Sequence, residues 1–193
     1  MVRTASTMLE LGVSVPPFRL PDFDNTVISS HDVATSQGLL VAFLCPHCPY
    51  VKHVRREFGR AAQEFQRRGL GVVAVNSNDT TAVPDDDVDG MREEAREAGY
   101  TFPYLVDESQ EVAKAFRAAC TPDFFLFDGT GKLVYRGQFD GSRPGSQLPV
   151  TGNDLRAAVD ALLGGQPVLS DQRPSLGCNI KWRKGGEPDW ASP

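Results

Sequence analysis

Six consecutive apolar residues, Leu39-Leu40-Val41-Ala42-Phe43-Leu44, run straight into Cys45-Pro46-His47-Cys48. A run of this length without polar interruption fits a strand buried on both faces, as in a sheet covered by helices. Immediately beyond it Val51, Val54, Phe58, Ala61 and Phe65 recur at spacings of three and four, the period of an amphipathic helix. Pro46 and Pro49 fit the first turn, where the missing N–H has no intrahelical partner, and Arg67, Arg68 and Gly69 supply a favourable end. The two cysteines therefore sit at a strand-to-helix junction. Few folds accommodate that arrangement.

The flanking sequence extends the pattern. Phe18-Arg19-Leu20 and Val27-Ile28-Ser29, joined by Asp22-Phe23-Asp24-Asn25, read as a hairpin. Val72 to Asn76 is a second buried strand, followed by a helix from about Gly90 to Ala98 that Gly99 ends. Phe102 to Val106 is extended, and Gln110 to Ala119 reads as a helix. Phe124 to Phe127 and Leu133 to Gly137 form strands around Asp128-Gly129-Thr130-Gly131. A last helix runs from an Asn153 or Asp154 N-cap to Leu163. The order predicts an α/β fold: a central mixed sheet flanked by helices, with a parallel crossover early and antiparallel strands late. Residues 1–165 form the expected domain. Residues 166–193, rich in Pro and Gly and without a period, form an extended C-terminal tail expected to pack on or near it.

A chain of 193 residues with net charge −5 carries no electrostatic footprint for nucleic acid, and no apolar run approaches the ~20 residues of a membrane span. The first twelve residues lack an apolar signal core, so the expected location is cytoplasmic. Thiols there are kept reduced, which turns four cysteines away from a disulfide scaffold and toward chemistry.

Cys45 and Cys48 are the catalytic candidates. Unpaired N–H groups and partial positive charge at a helix start stabilise a thiolate, the reactive form of cysteine. On this reading Cys45 is the exposed nucleophile, His47 adds positive charge beside it, and the more buried Cys48 resolves the mixed disulfide. A metal role would draw on His47, His53, Cys120 or Cys178. Zinc sites usually show a second tight ligand pair, which is missing here, so no metal and no cofactor are expected.

Cys45-Pro46-His47-Cys48-Pro49-Tyr50-Val51, Thr121-Pro122-Asp123-Phe124 and Gly177-Cys178-Asn179-Ile180-Lys181-Trp182 resemble a bacterial peroxiredoxin-like group. From about Phe18 to Leu163 the chain is similar to the redoxin branch of the thioredoxin-like superfamily, which includes the alkyl hydroperoxide reductase/thiol-specific antioxidant proteins. The resemblance implies a cis bond at Thr121-Pro122, packed beside the active-site sulfurs. It also implies a Thr121 backbone available to an extended substrate segment. Two departures bear on activity. Peroxiredoxins carry Thr or Ser three residues before the peroxidatic Cys and Pro seven before it, where Cys45 has Ala42 and Gly38. Thioredoxin has Trp before its first Cys, where this chain has Leu44.

The expected activity is thiol–disulfide exchange, with Pro46, His47, Thr121 and Pro122 in support. A peroxidase-like enzyme and a redox-sensing or metal-binding module are the alternatives. Expected partners are a protein or small-molecule disulfide and a thiol donor of thioredoxin or glutathione type. Cys120, two residues before Pro122, and Cys178, in the tail, are candidates for a secondary pair or relay. Asp85, Asp87, Asp89 and Gly90 open like a calcium loop, but Arg96 stands where a bidentate Glu is needed. That acidic run reads as a solvated helix entrance. Lys52, His53, Arg55 and Arg56 read as the solvent face of the first long helix.

Overall fold

In the computed structural model, which describes residues 3–191, the apolar run is the middle strand of five. The elements are β1 (Arg3–Ala5), β2 (Arg19–Pro21), β3 (Val27–Ser29), α1 (Ser30–Val33), β4 (Leu39–Phe43), α2 (Pro49–Arg67), β5 (Gly71–Asn76) and α3 (Val88–Ala98). Then follow β6 (Tyr104–Val106), α4 (Glu111–Phe116), β7 (Cys120–Thr121), β8 (Asp123–Phe127), β9 (Leu133–Gly137), α5 (Asn153–Leu163) and β10 (Leu176–Asn179). The main sheet has the order β6-β5-β4-β8-β9. β4, β5 and β6 are parallel; β8 runs antiparallel to β4, and β9, antiparallel to β8, returns to the direction of the first three. This is the thioredoxin-like fold.

Strand alternation divides the core into two layers. Leu40, Ala42 and Leu44 face α2, α3 and α5, meeting Val54, Phe58, Phe65, Met91 and Leu155. Leu39, Val41 and Phe43 face α4 and the β2–β3 hairpin, meeting Phe18, Val112 and Phe116. Every residue of β4 is buried, as an uninterrupted apolar strand requires.

The helix after the cysteines closes with a Schellman motif. The Gly69 N–H donates to the Gln66 carbonyl and the Leu70 N–H to that of Phe65, with Gly69 at φ +91°. Only glycine takes that conformation readily, so the chain turns there into β5.

Several boundaries differ from expectation. The fourth helix stops at Phe116, because Arg117 adopts a left-handed φ of 51° and the Ala118 N–H returns to Ala113. Gly152, not Asn153 or Asp154, caps α5; the Asp140 carboxylate accepts from the Thr151 and Gly152 N–H groups. The tail, read as lacking strand character, contains β10. It lies between β1 and β7 in a second, three-stranded sheet. No periodicity announces so short a strand, since its pairing comes from residues far away in sequence. No helix among the described residues is long and apolar enough to cross a membrane.

Candidate redox site

The ladder of β4 continues one residue past the strand, with the Leu44 N–H donating to the Val75 carbonyl, and releases the chain at Cys45. Helix α2 begins at Pro49, which makes Cys48 its N-cap. Sequence reasoning placed the helix end at Cys45. The structure places it three residues later, on the second cysteine.

Both sulfurs are fully buried, which corrects the expectation of an exposed Cys45. Cys45 Sγ lies 3.1 Å from Thr121 Oγ1 and 3.8 Å from His47 Nδ1. Cys48 Sγ lies 3.2 Å from the Thr121 carbonyl oxygen and 2.9 Å from Cys178 Sγ. The Thr121–Pro122 bond is cis as the resemblance implied, and Thr121 lies against both sulfurs.

Charge is distributed differently from the sequence reading. Hydrogen bonds from Cys178 and Cys45 hold Cys48 well below the ordinary thiol range, and the Val51 N–H acts in the same direction. Burial pushes Cys45 up, with the Cys48 contact and the nearby Asp86 charge adding to it. Of the two sulfurs Cys48 is therefore the one where a thiolate is favoured, at the positive end of α2.

His47 does not stand alone beside Cys45, because Asp86 accompanies it. One Asp86 oxygen accepts from the His47 N–H at 2.9 Å, and the other lies 2.5 Å from His47 Nδ1. Asn78 Nδ2 donates to the same carboxylate at 2.7 Å, and Asn76 Nδ2 donates to the Asp86 carbonyl. Asp86 belongs to the acidic run read as solvated. Asp85 and Asp87 are indeed exposed, but a single turn at Pro84–Asp86 points Asp86 inward. Cys45, His47 and Asp86 bring possible metal-ligating atoms within 4.8 Å of one another.

The Thr121 backbone is not available to a substrate strand as expected, since Cys178 of β10 pairs opposite it. The anticipated Cys120–Cys178 pair does not form. In the ladder Cys120 faces Asn179 and Cys178 faces Thr121, so the two side chains project to opposite faces. Cys120 Sγ turns instead toward the Pro122 carbonyl, 3.9 Å away. Of the basic cluster, Lys52 and Arg56 are exposed, while Arg55 pairs with Glu97 and His53 meets Ser142.

Among the buried acids, Asp123 and Glu94 have raised pKa values, and neither role was read from the sequence. Asp123 accepts from Ser6 Oγ at 3.0 and 2.9 Å, and burial raises its pKa to about 7. An acid opening the apolar strand Phe124-Phe125-Leu126-Phe127 was the available signal. Glu94 accepts from Tyr100 and Tyr104 at 3.2 and 3.0 Å, and burial likewise raises it to about 7 from 4.5. The folded state binds this proton more tightly than the unfolded chain does. The Glu94 contribution is thus fully present below about pH 4.5 and lost as pH rises through 7. The stability difference between wild type and Glu94→Gln, from urea unfolding, should fall by roughly 3 kcal/mol between pH 4 and pH 8. A pH-independent difference would show that Glu94 titrates normally.

Residues 11–136 match the AhpC/TSA family, about two thirds of the chain. The chain belongs to the AhpC/TSA family. A conserved protein of Geobacillus kaustophilus has a solved structure that is 50% identical, covering 95% of this chain and 97% of that one at a TM-score of 0.92. A hypothetical protein of Sinorhizobium meliloti 1021 is 48% identical, covering 93% and 98% at 0.91. The thiol-disulfide oxidoreductase ResA of Geobacillus thermodenitrificans is 23% identical over 130 residues, 67% of this chain and 70% of that one.

Proposed function

We propose that this family member is a thiol–disulfide oxidoreductase working through Cys45 and Cys48. The observation that carries the reading is the pair of buried thiols at the strand-to-helix junction, each hydrogen-bonded to Thr121, which precedes cis-Pro122. Cys45 passes its proton to Cys48, attacks one sulfur of a substrate disulfide and expels the other as a thiolate. That thiolate takes the Cys48 proton. Cys48 then attacks Cys45, forms the intramolecular disulfide and releases the second substrate thiolate. Two electrons move from the dithiol to the substrate, and an external thiol donor of thioredoxin or glutathione type restores the dithiol. The substrate is a protein or small-molecule disulfide, met in the cytoplasm.

Reduction of insulin disulfides with dithiothreitol as donor tests this. Wild type should turn over and Cys45→Ser should not; a wild type inert with every thiol donor would sink the proposal. Metal analysis of protein purified under reducing conditions should give substoichiometric zinc. One zinc per chain would turn the reading toward a metal site at Cys45, His47 and Asp86.

A peroxidase reading has one observation in its favour. Although position 42 is Ala, another hydroxyl, Thr121 Oγ1, lies 3.1 Å from Cys45 Sγ. A sulfenic acid at Cys45 would then condense with Cys48. Peroxide consumption should proceed no faster than with a comparable free thiol if disulfide exchange is the function.

A further inference from the structure

Cys178 lies 130 residues from Cys48 in sequence and 2.9 Å from it in space. Backbone pairing delivers it there. In β10 Cys178 stands opposite Thr121 and Asn179 opposite Cys120, while on the other edge Arg3, Thr4 and Ala5 pair with Cys178, Gly177 and Leu176. The strand is thus held from both sides. Gly177 permits the approach: a Cβ there would meet the Thr121 carbonyl oxygen at 1.9 Å, closer than any side chain tolerates. Beyond the strand, the Ile180 N–H donates to the Ala119 carbonyl and the Lys181 N–H to Asn78 Oδ1. Cys178 itself is buried against the same core layer as Cys45 and Cys48. The position of its sulfur is therefore fixed by elements on both sides.

We infer that Cys178 is a third redox thiol, which accepts the disulfide from the Cys45–Cys48 pair and forms a Cys48–Cys178 bond. The inference rests on the dithiol reading above. The step is an internal exchange: Cys178 loses its proton and attacks Cys48 Sγ, the Cys48–Cys178 bond forms, and the Cys45–Cys48 bond breaks. Cys45 leaves as a thiolate and takes up the proton. One bond replaces another, so no oxidant or reductant is consumed.

Closing from 2.9 Å to a disulfide length of about 2.05 Å asks for a movement of about 0.9 Å, within the reach of a side-chain rotation. Cys48 is the sulfur common to both bonds, and the exchange returns a reduced Cys45 to the site. It also ties the C-terminal strand covalently to the start of α2. Cys120 takes no part, because it projects from the other face of the ladder.

The test uses the full chain equilibrated with glutathione and glutathione disulfide in graded ratios, quenched in acid, alkylated and mapped by mass. Wild type should yield a Cys48–Cys178 linked peptide, with Cys45 alkylated, within about tenfold of the Cys45–Cys48 species. Cys178→Ser should lose that peptide completely while retaining Cys45–Cys48. If Cys178→Ser forms Cys45–Cys48 but wild type shows no Cys48–Cys178 link, or links Cys178 to Cys120, the inference is overturned and the dithiol reading stands. If neither protein forms Cys45–Cys48 in any buffer, the dithiol reading falls and takes the exchange with it.

Discussion

Replacing Cys48 by serine is expected to cut insulin-reducing turnover by on the order of a thousandfold or more and to leave substrate attached to Cys45. Cys48 is the sulfur through which the cluster is connected. It contacts Cys45 and Cys178, stands at the N-cap of α2 and has its pKa held well below the ordinary thiol range. Serine is close to cysteine in size and is a favoured N-cap residue, while Cys48 makes no side-chain cap bond that would be lost, so the helix start should persist. It cannot displace a sulfur, because a hydroxyl at its ordinary pKa is a poor nucleophile and forms no disulfide. The first step at Cys45 remains possible, whereas release of the adduct does not. Intact-protein mass after exposure to insulin should therefore show a persistent mixed disulfide that added thiol removes. A variant that turns over within tenfold of wild type would show that Cys48 does not resolve the adduct.

Phe58→Ala is expected to destabilise the protein by about 3–5 kcal/mol, measured as a lowered urea midpoint with little change in slope. The ring is fully buried on the inner face of α2. It lies 5.1 Å from Phe124, 5.6 Å from Phe102, 5.9 Å from Phe139 and 6.0 Å from Tyr100, between ring centroids. Those rings come from β8 and two loops, the α3–β6 connection and the segment after β9, so collapse into the vacated space would have to move several elements at once. The same contacts set α2 against the sheet at the helix end of the junction. A loss below about 1 kcal/mol would mean that the surrounding rings repack around the cavity.

The sequence revealed the fold through period and position. The buried run at 39–44, the helical spacing from Val51 to Phe65 and the late hairpin each carry a local signal, and the five-stranded sheet follows from them. The dithiol was equally legible, since its cysteines stand close together at a recognisable junction. Asp86 was not. It is one of three consecutive aspartates in a polar stretch, and only the turn at Pro84–Asp86 decides which of them points inward. Glu94 looked like one more charge on a polar helix, until Tyr100 and Tyr104 supplied two hydroxyl donors for it.

The junction in the folded protein differs from its sequence pattern in three respects. The sequence by itself determined that two thiols stand between a buried strand and an amphipathic helix, because apolar period and proline position are local properties of the chain. Tertiary structure decided where the helix starts, which sulfur holds the charge and which thiol joins the pair. Those outcomes depend on Thr121, Asp86 and Cys178, residues brought to the dithiol from 38 or more positions away by sheet pairing and a single turn. A thiol's charge responds to donors and burial within a few ångströms, and sequence distance carries no information about that neighbourhood.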